Sequence, residues 1–139
     1  MRQAQHTLVV QTRGQGLVDI TAEVAGWLRG QEIAMGLVTL FCRHTSASLL
    51  IQENADPDVR RDIEAWFARI APEGRGLYAH EDEGPDDMPA HLRTALTQVS
   101  LSIPLTAGRM ALGVWQAVYL FEHRRAPHRR DVVMHVMGA

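Results

Sequence analysis

Three short stretches of this 139-residue chain concentrate the side chains able to do chemistry. The first, HTSASLLIQENADPD over 44–58, opens on His44, carries Ser46 and Ser48, and closes on Asn54, Asp56 and Asp58. The second, HEDEGPDDMPAHLR over 80–93, crowds Glu81, Asp82, Glu83, Asp86 and Asp87 between His80 and His91. The third, EHRRAPHRR over 122–130, sets four arginines and two histidines around an Ala-Pro turn.

A histidine that ends an apolar strand can serve as a ligand or a base, although a core histidine with one hydrogen-bond partner is the plainer reading. The serines lack the flanking glycines of a nucleophile elbow, so serine-hydrolase chemistry is disfavoured. Asn54, Asp56 and Asp58 read equally as a helix entry, where carboxylates complement the dipole. In the second stretch a solvated acidic loop and a helix cap explain some residues. A helix starting near Met88 sets Asp87 and His91 four residues apart on one face, a spacing that suits two ligands of one divalent ion. In the third, arginines close in space can grip an anion through bidentate contacts, against the plainer reading of a solvated hairpin tip. Strand parity puts Val114, Gln116, Val118, Leu120, Glu122 and Arg124 on one face, so Gln116 and Glu122 lie among apolar neighbours and need partners. Carboxylates and histidines for a cation, with arginines for phosphate, make up what a metal-dependent reaction of a phosphate or diphosphate ester requires.

Regular elements must hold these residues. QHTLVVQT reads as an opening strand that ends at the turn RGQG. Ile20, Val24, Trp27 and Leu28 recur at helical spacing within LVDITAEVAGWLRGQ, with Asp19 or Thr21 near the cap. EIAMGLVTLFCRHT returns to strand, with Val38, Leu40, Cys42 and His44 on one side. ADPDVRRDIEAWFARIAPEG is the clearest helix, capped by Asp56, entered through Pro57 and ended before Gly74, with Val59, Ile63, Trp66, Phe67 and Ile70 as its apolar face. Residues 72–85 read as a loop. DMPAHLRTALTQ is a shorter helix entered through Asp86 or Asp87. The strands VSLSIPL, LGVWQAVYLFEH and DVVMHVM follow. Without regular β-α alternation, this order predicts an α+β fold: a mostly antiparallel sheet or sandwich with helices packed on one side.

The length suits one domain over 1–139, and 46% hydrophobic against 22% charged residues gives a globular balance. A net charge of −2, with no basic run interleaved with aromatics, argues against nucleic acid as a partner. One cysteine, Cys42, excludes an internal disulfide. MRQAQHTLVVQTRG has no long apolar run and no segment can span a bilayer, so the expectation is a cytoplasmic protein with no membrane partner.

HTSASLLIQENADPD, PDDMPAHLRTAL and SIPLTAGRMALGVWQAVYLFEHRRAPHRRDV together resemble the YjbQ-like family, which is labelled secondary thiamine-phosphate synthase. The resemblance runs from about residue 3 to the C-terminus. A family pattern of Gly, four residues, then Gly-Thr-Trp-Gln is met by Gly108, Gly113, Trp115 and Gln116, with Val114 replacing the threonine.

The resemblance implies an α+β homotrimer with a polar pocket between subunits. It also implies an activity that joins a pyrimidine diphosphate to a thiazole phosphate and releases diphosphate. On that reading His44, Asp86, Asp87 and His91 contact a divalent metal, Mg²⁺ or Zn²⁺, directly or through water. Arg124 and Arg129 hold phosphate, Glu122 orients a ligand or carries a proton, and Ser46, Ser48, Asn54 and Gln116 line the pocket. Two other readings stand beside it. One is a non-catalytic trimeric module that binds a phosphorylated metabolite or a metal; the other is a metal-dependent phosphoester hydrolase.

Overall fold

The computed structural model describes residues 1–139. Its elements in chain order are β1 (Arg2–Gln11), β2 (Gly16–Asp19), α1 (Thr21–Arg29), β3 (Gly36–Cys42), β4 (Ala47–Glu53), α2 (Pro57–Ile70), α3 (Asp87–Leu96), β5 (Ser100–Thr106), β6 (Arg109–Met110), β7 (Gln116–Glu122) and β8 (Arg129–Gly138). Five strands form one sheet in the order β1-β8-β3-β5-β6, and three form a second in the order β2-β7-β4. Every pairing is antiparallel, so the expected α+β sandwich is the fold observed.

Side-chain alternation drives the layering, because successive residues of a strand point to opposite faces. Val38, Leu40 and Cys42 of β3, Leu101, Ile103 and Leu105 of β5, and Val132, Met134 and Val136 of β8 turn inward, and all are buried. They meet Ala47 and Leu49 of β4 and Val118 and Leu120 of β7 in one core, which α1 joins through Val24 and Leu28. The other side of β7 is buried as well. Phe121 packs edge-on against Phe67 of α2, with ring centroids 5.4 Å apart. The helices thus leave the outer face of the five-stranded sheet uncovered, where Val9, Leu37, Phe41 and Met137 are exposed.

Asp56 and Asp19 tie down the starts of α2 and α1, whereas α3 begins after Asp86 without a side-chain cap bond. Asp56 caps α2 by accepting the Asp58 N–H at 2.9 Å, and Pro57 occupies the first position, where a missing N–H costs nothing. Asp19 accepts the Thr21 N–H at the head of α1. The apolar face read on α2 is only partly enclosed: Phe67 is buried, whereas Trp66 and Ile70 are exposed. No helix is long and apolar enough to cross a membrane.

Candidate functional site

The site forms where the entry of α3 meets the end of β7 and the turn beyond it. Asp87 is almost wholly buried, its side chain 2% exposed. Its Oδ2 lies 2.7 Å from Nε2 of His80 and 3.0 Å from Nε2 of His91. These three ligand atoms all fall within 4.8 Å of one another. Helical spacing delivers His91, one turn beyond Asp87, while the loop before α3 folds back to deliver His80. Two imidazoles and one carboxylate are a donor set suited to zinc, manganese or iron in the divalent state.

Arg124 braces this cluster. Its Nη1 donates to Asp87 Oδ1 at 2.8 Å, its Nε to Asp86 Oδ2 at 3.0 Å, and its Nη2 to the Glu83 carbonyl at 2.8 Å. The Arg125 main-chain N–H also donates to Asp86 Oδ2, at 2.9 Å. Arg124 therefore holds the carboxylates that face the site, an outer-sphere role that fixes a ligating oxygen. Burial works to raise the Asp86 carboxyl, but the Arg125 N–H and the Arg124 guanidinium outweigh it and keep the pKa low. Burial likewise opposes the Asp87 charge, and the His80 hydrogen bond with the nearby charges of His91 and Arg124 overcomes it. His80 is pushed up by its bond to Asp87, so at acid pH protons occupy the nitrogen a metal would take.

A second ion pair closes the end of the sandwich. Glu122 is fully buried and takes Arg130 Nε at 2.9 Å, a close contact from Arg130 Nη2, and the Thr12 hydroxyl at 2.6 Å. Burial alone would raise the Glu122 carboxyl, and the Arg130 and Thr12 bonds hold it low instead. Arg130 Nη2 also donates to the Ser46 hydroxyl at 3.0 Å and to its carbonyl. Beneath lies His123, whose Nε2 is 2.9 Å from the Ser48 hydroxyl. Burial, helped by the charge of Arg93, drops its pKa to about 3.

An open groove of about 600 Å³ runs between the end of β3 and α3, lined by Phe41, Cys42, Arg43, His44, Thr45 and His91 among others. Through His91 it reaches the His80–Asp87–His91 cluster. Cys42 offers no reactive thiolate there, since burial raises its pKa to about 11.

The structure gathers part of the predicted set. Asp87 and His91 converge as expected, and His80, counted in the acidic stretch without a role, completes them. His44 does not join that cluster: its Nε2 accepts the Asp131 main-chain N–H at 2.8 Å, so that lone pair is spent. Asp86 is also outside it, both oxygens being taken by the guanidinium of Arg124 and the Arg125 N–H. Arg129 points away from the cluster. It projects from the outer sheet face, two-thirds exposed, with Asp131 at 3.5 Å, and parity sends Arg130 inward instead. Arg124 is turned onto Asp86, Asp87 and the Glu83 carbonyl.

Asn54 and Gln116 are remote from the cluster. In the β4–β7 register Ala47 faces Glu122 at one end and Glu53 faces Gln116 at the other, roughly 20 Å apart at strand rise. There Asn54 ties down the Val114 and Gln116 carbonyls, and Gln116, exposed rather than among apolar neighbours, accepts the Gly113 N–H. Ser46 and Ser48 lie in the core networks around Arg130 and His123, not on an open wall.

Known proteins share this arrangement of chain. Residues 6–139 match the family model described as UPF0047 protein YjbQ-like. A UPF0047 protein of Synechocystis is 50% identical over 137 residues, covering 99% of this chain and 93% of its own. YjbQ of Escherichia coli O157:H7 is 38% identical over 135 residues, covering 96% and 97%. Among solved structures, a conserved hypothetical protein from Thermus thermophilus superposes with a TM-score of 0.84 at 39% identity, covering 95% of this chain and 99% of that one. A Clostridium acetobutylicum member of the same family gives 0.84 at 32% identity, covering 96% and 99%.

Proposed function

The chain belongs to the YjbQ-like UPF0047 family, and from that premise we propose a metal-assisted enzyme acting on small phosphorylated heterocycles, joining a pyrimidine diphosphate to a thiazole phosphate. The observation that carries the reading is the convergence of His80 Nε2, Asp87 Oδ2 and His91 Nε2 beside a groove of ligand size. In the reaction, the bond from the pyrimidine methylene carbon to diphosphate oxygen breaks. Diphosphate leaves with the electron pair, and the thiazole nitrogen forms the new carbon–nitrogen bond. A divalent cation held by His80, Asp87 and His91 would supply the Lewis acidity that departing diphosphate needs. Arg124 keeps Asp87 ionised and aimed, and Arg43, exposed on the groove wall, is a cation without an ion-pair partner. Within the same proposal the chain works as a homotrimer, a reading supported by the uncovered face of the larger sheet.

The test is calorimetric. After chelation, Zn²⁺ and Mg²⁺ are titrated into the protein and into Asp87→Asn, followed by the pyrimidine diphosphate and the thiazole phosphate with and without metal. The reading expects metal binding that Asp87→Asn removes and metal-dependent formation of thiamine phosphate. Ligand binding without product would favour the non-catalytic module, and inorganic phosphate released from generic esters would favour the hydrolase. Failure to bind either metal would overturn the metal-assisted reading outright.

A further inference from the structure

His44 is met by more donors than a neutral imidazole can accept. Its Nε2 accepts the Asp131 N–H at 2.8 Å, which places the single ring proton on Nδ1. Nδ1 faces Nη1 of Arg130 at 3.4 Å, so two N–H groups are turned toward each other with no acceptor between them. Protonating the ring does not relieve this, and burial together with the Arg130 charge lowers the His44 pKa.

Arg130 cannot turn away. Its side chain is 5% exposed, and Nε and Nη2 are fixed on Glu122 and Ser46. Nη1 has His44 as its only contact. An unspent nitrogen on a guanidinium more than nine-tenths buried, beside a histidine on the groove wall, is an arrangement that lacks one oxygen. An oxygen about 2.8–3.0 Å from both nitrogens would lie to one side of the 3.4 Å line between them, where Nη1 still has its second N–H to give. Arg43 lines the same groove. Arg130 is already neutralised by Glu122, so Arg43 brings the net positive charge to this wall.

We propose that His44 Nδ1, Arg130 Nη1 and Arg43 form an oxyanion seat that takes the phosphate group of a phosphomonoester lying in the groove. As a statement about the substrate's phosphate, this rests on the functional reading above. As a statement about anion binding, it is separable from the metal cluster. His44 is then a hydrogen-bond donor to substrate, and the phosphate contacts expected of Arg124 and Arg129 fall to Arg43 and Arg130.

Titration of inorganic phosphate, followed through the imidazole nitrogen shifts of His44 and by calorimetry, tests the seat on the whole protein. We expect Arg43→Ala and His44→Phe each to weaken phosphate at least tenfold, with near-ultraviolet circular dichroism confirming that both variants fold. His80→Ala should keep phosphate affinity while losing Zn²⁺. Phosphate affinity unchanged in both Arg43→Ala and His44→Phe would overturn the proposal. Equal affinity for acetate would overturn the phosphate assignment. Zn²⁺ binding absent with phosphate binding intact and dependent on Arg43 and His44 would sink the metal reading and leave the seat standing.

Discussion

His123 is sealed beneath the site with its Nε2 on Ser48 and its pKa near 3, well below the value of about 6.5 expected once the chain unfolds. The linkage follows from that order. Between pH 6.5 and about 3 the unfolded chain binds a proton at this position that the folded chain refuses, so folding stability falls as pH falls. The slope is about 1.4 kcal/mol per pH unit, or roughly 2 kcal/mol between pH 6.5 and 5. Other groups titrate too: His44, lowered, adds in the same direction, while His80, raised, opposes it. Replacing the residue isolates its share. In urea unfolding at pH 7 and pH 5, His123→Gln should lose about 2 kcal/mol less than the parent over that interval. An equal loss in both proteins would mean that His123 is protonated in the folded state. Glu122, Asp86 and Asp87, all held low by their partners, extend the acid loss to lower pH, since their stabilisation disappears only as the carboxylates protonate.

At the scale of elements, the entry of α3 is fastened to the turn after β7 by the Arg124 guanidinium and by the Arg125 main-chain N–H. Arg124→Ala would leave Asp86 and Asp87 largely buried without their guanidinium, a loss on the order of 3 kcal/mol. Asp56→Ala removes a solvent-exposed cap from α2 and should cost about 1 kcal/mol. Denaturant midpoints should separate the two variants, and a smaller effect from Arg124→Ala would show that α3 is held by packing and the Arg125 N–H. The elements also explain what the sequence disclosed. Helix α2 was legible because Asp56-Pro57 and a 3.6-residue period agree, and β7 because Ala117–Phe121 is an unbroken apolar run, the mark of a strand buried on both faces. Strands β2 and β6, of four and two residues, are too short to carry a period, and Leu17–Asp19 of β2 fall inside the stretch whose spacing predicts the first helix. His80 escaped assignment because a loop has no period to aim its side chain. Arg130 did leave a signal. Counting back from Val132, Met134 and Val136 selects it over Arg129, but the strand expected from the sequence starts at Asp131, two residues inside the observed one.

For the whole molecule, the uncovered sheet face is the outstanding feature. Its outward residues include Gln3, Gln5, Thr7 and Val9 on β1, Val133, His135 and Met137 on β8, Leu37, Thr39 and Phe41 on β3, and Ser100 and Ser102 on β5. None of these carries a formal charge; the charged outward residues lie at the margins, Arg129, Asp131 and Arg43 at one end and Arg109 on the edge strand β6. A solvated sheet face ordinarily holds charged side chains, whereas a surface low in charge and mixed in apolar and neutral polar groups matches the centre of an interface. The exposed area agrees. The chain presents 7955 Å², roughly 700 Å² more than the value of about 7,200 Å² that monomer scaling gives for 15.5 kDa, an excess expected of a chain with a face left to cover. The proposed homotrimer therefore has a face on which to assemble. Sedimentation equilibrium should show a trimer for the parent chain, and Thr39→Glu with Val133→Glu, two outward positions that leave the core intact, should shift it to monomer. Leu77→Glu, an exposed apolar position away from this face, should leave assembly unchanged. A parent protein that sediments as a monomer would refute the trimer, and a double variant that still assembles would move the interface elsewhere.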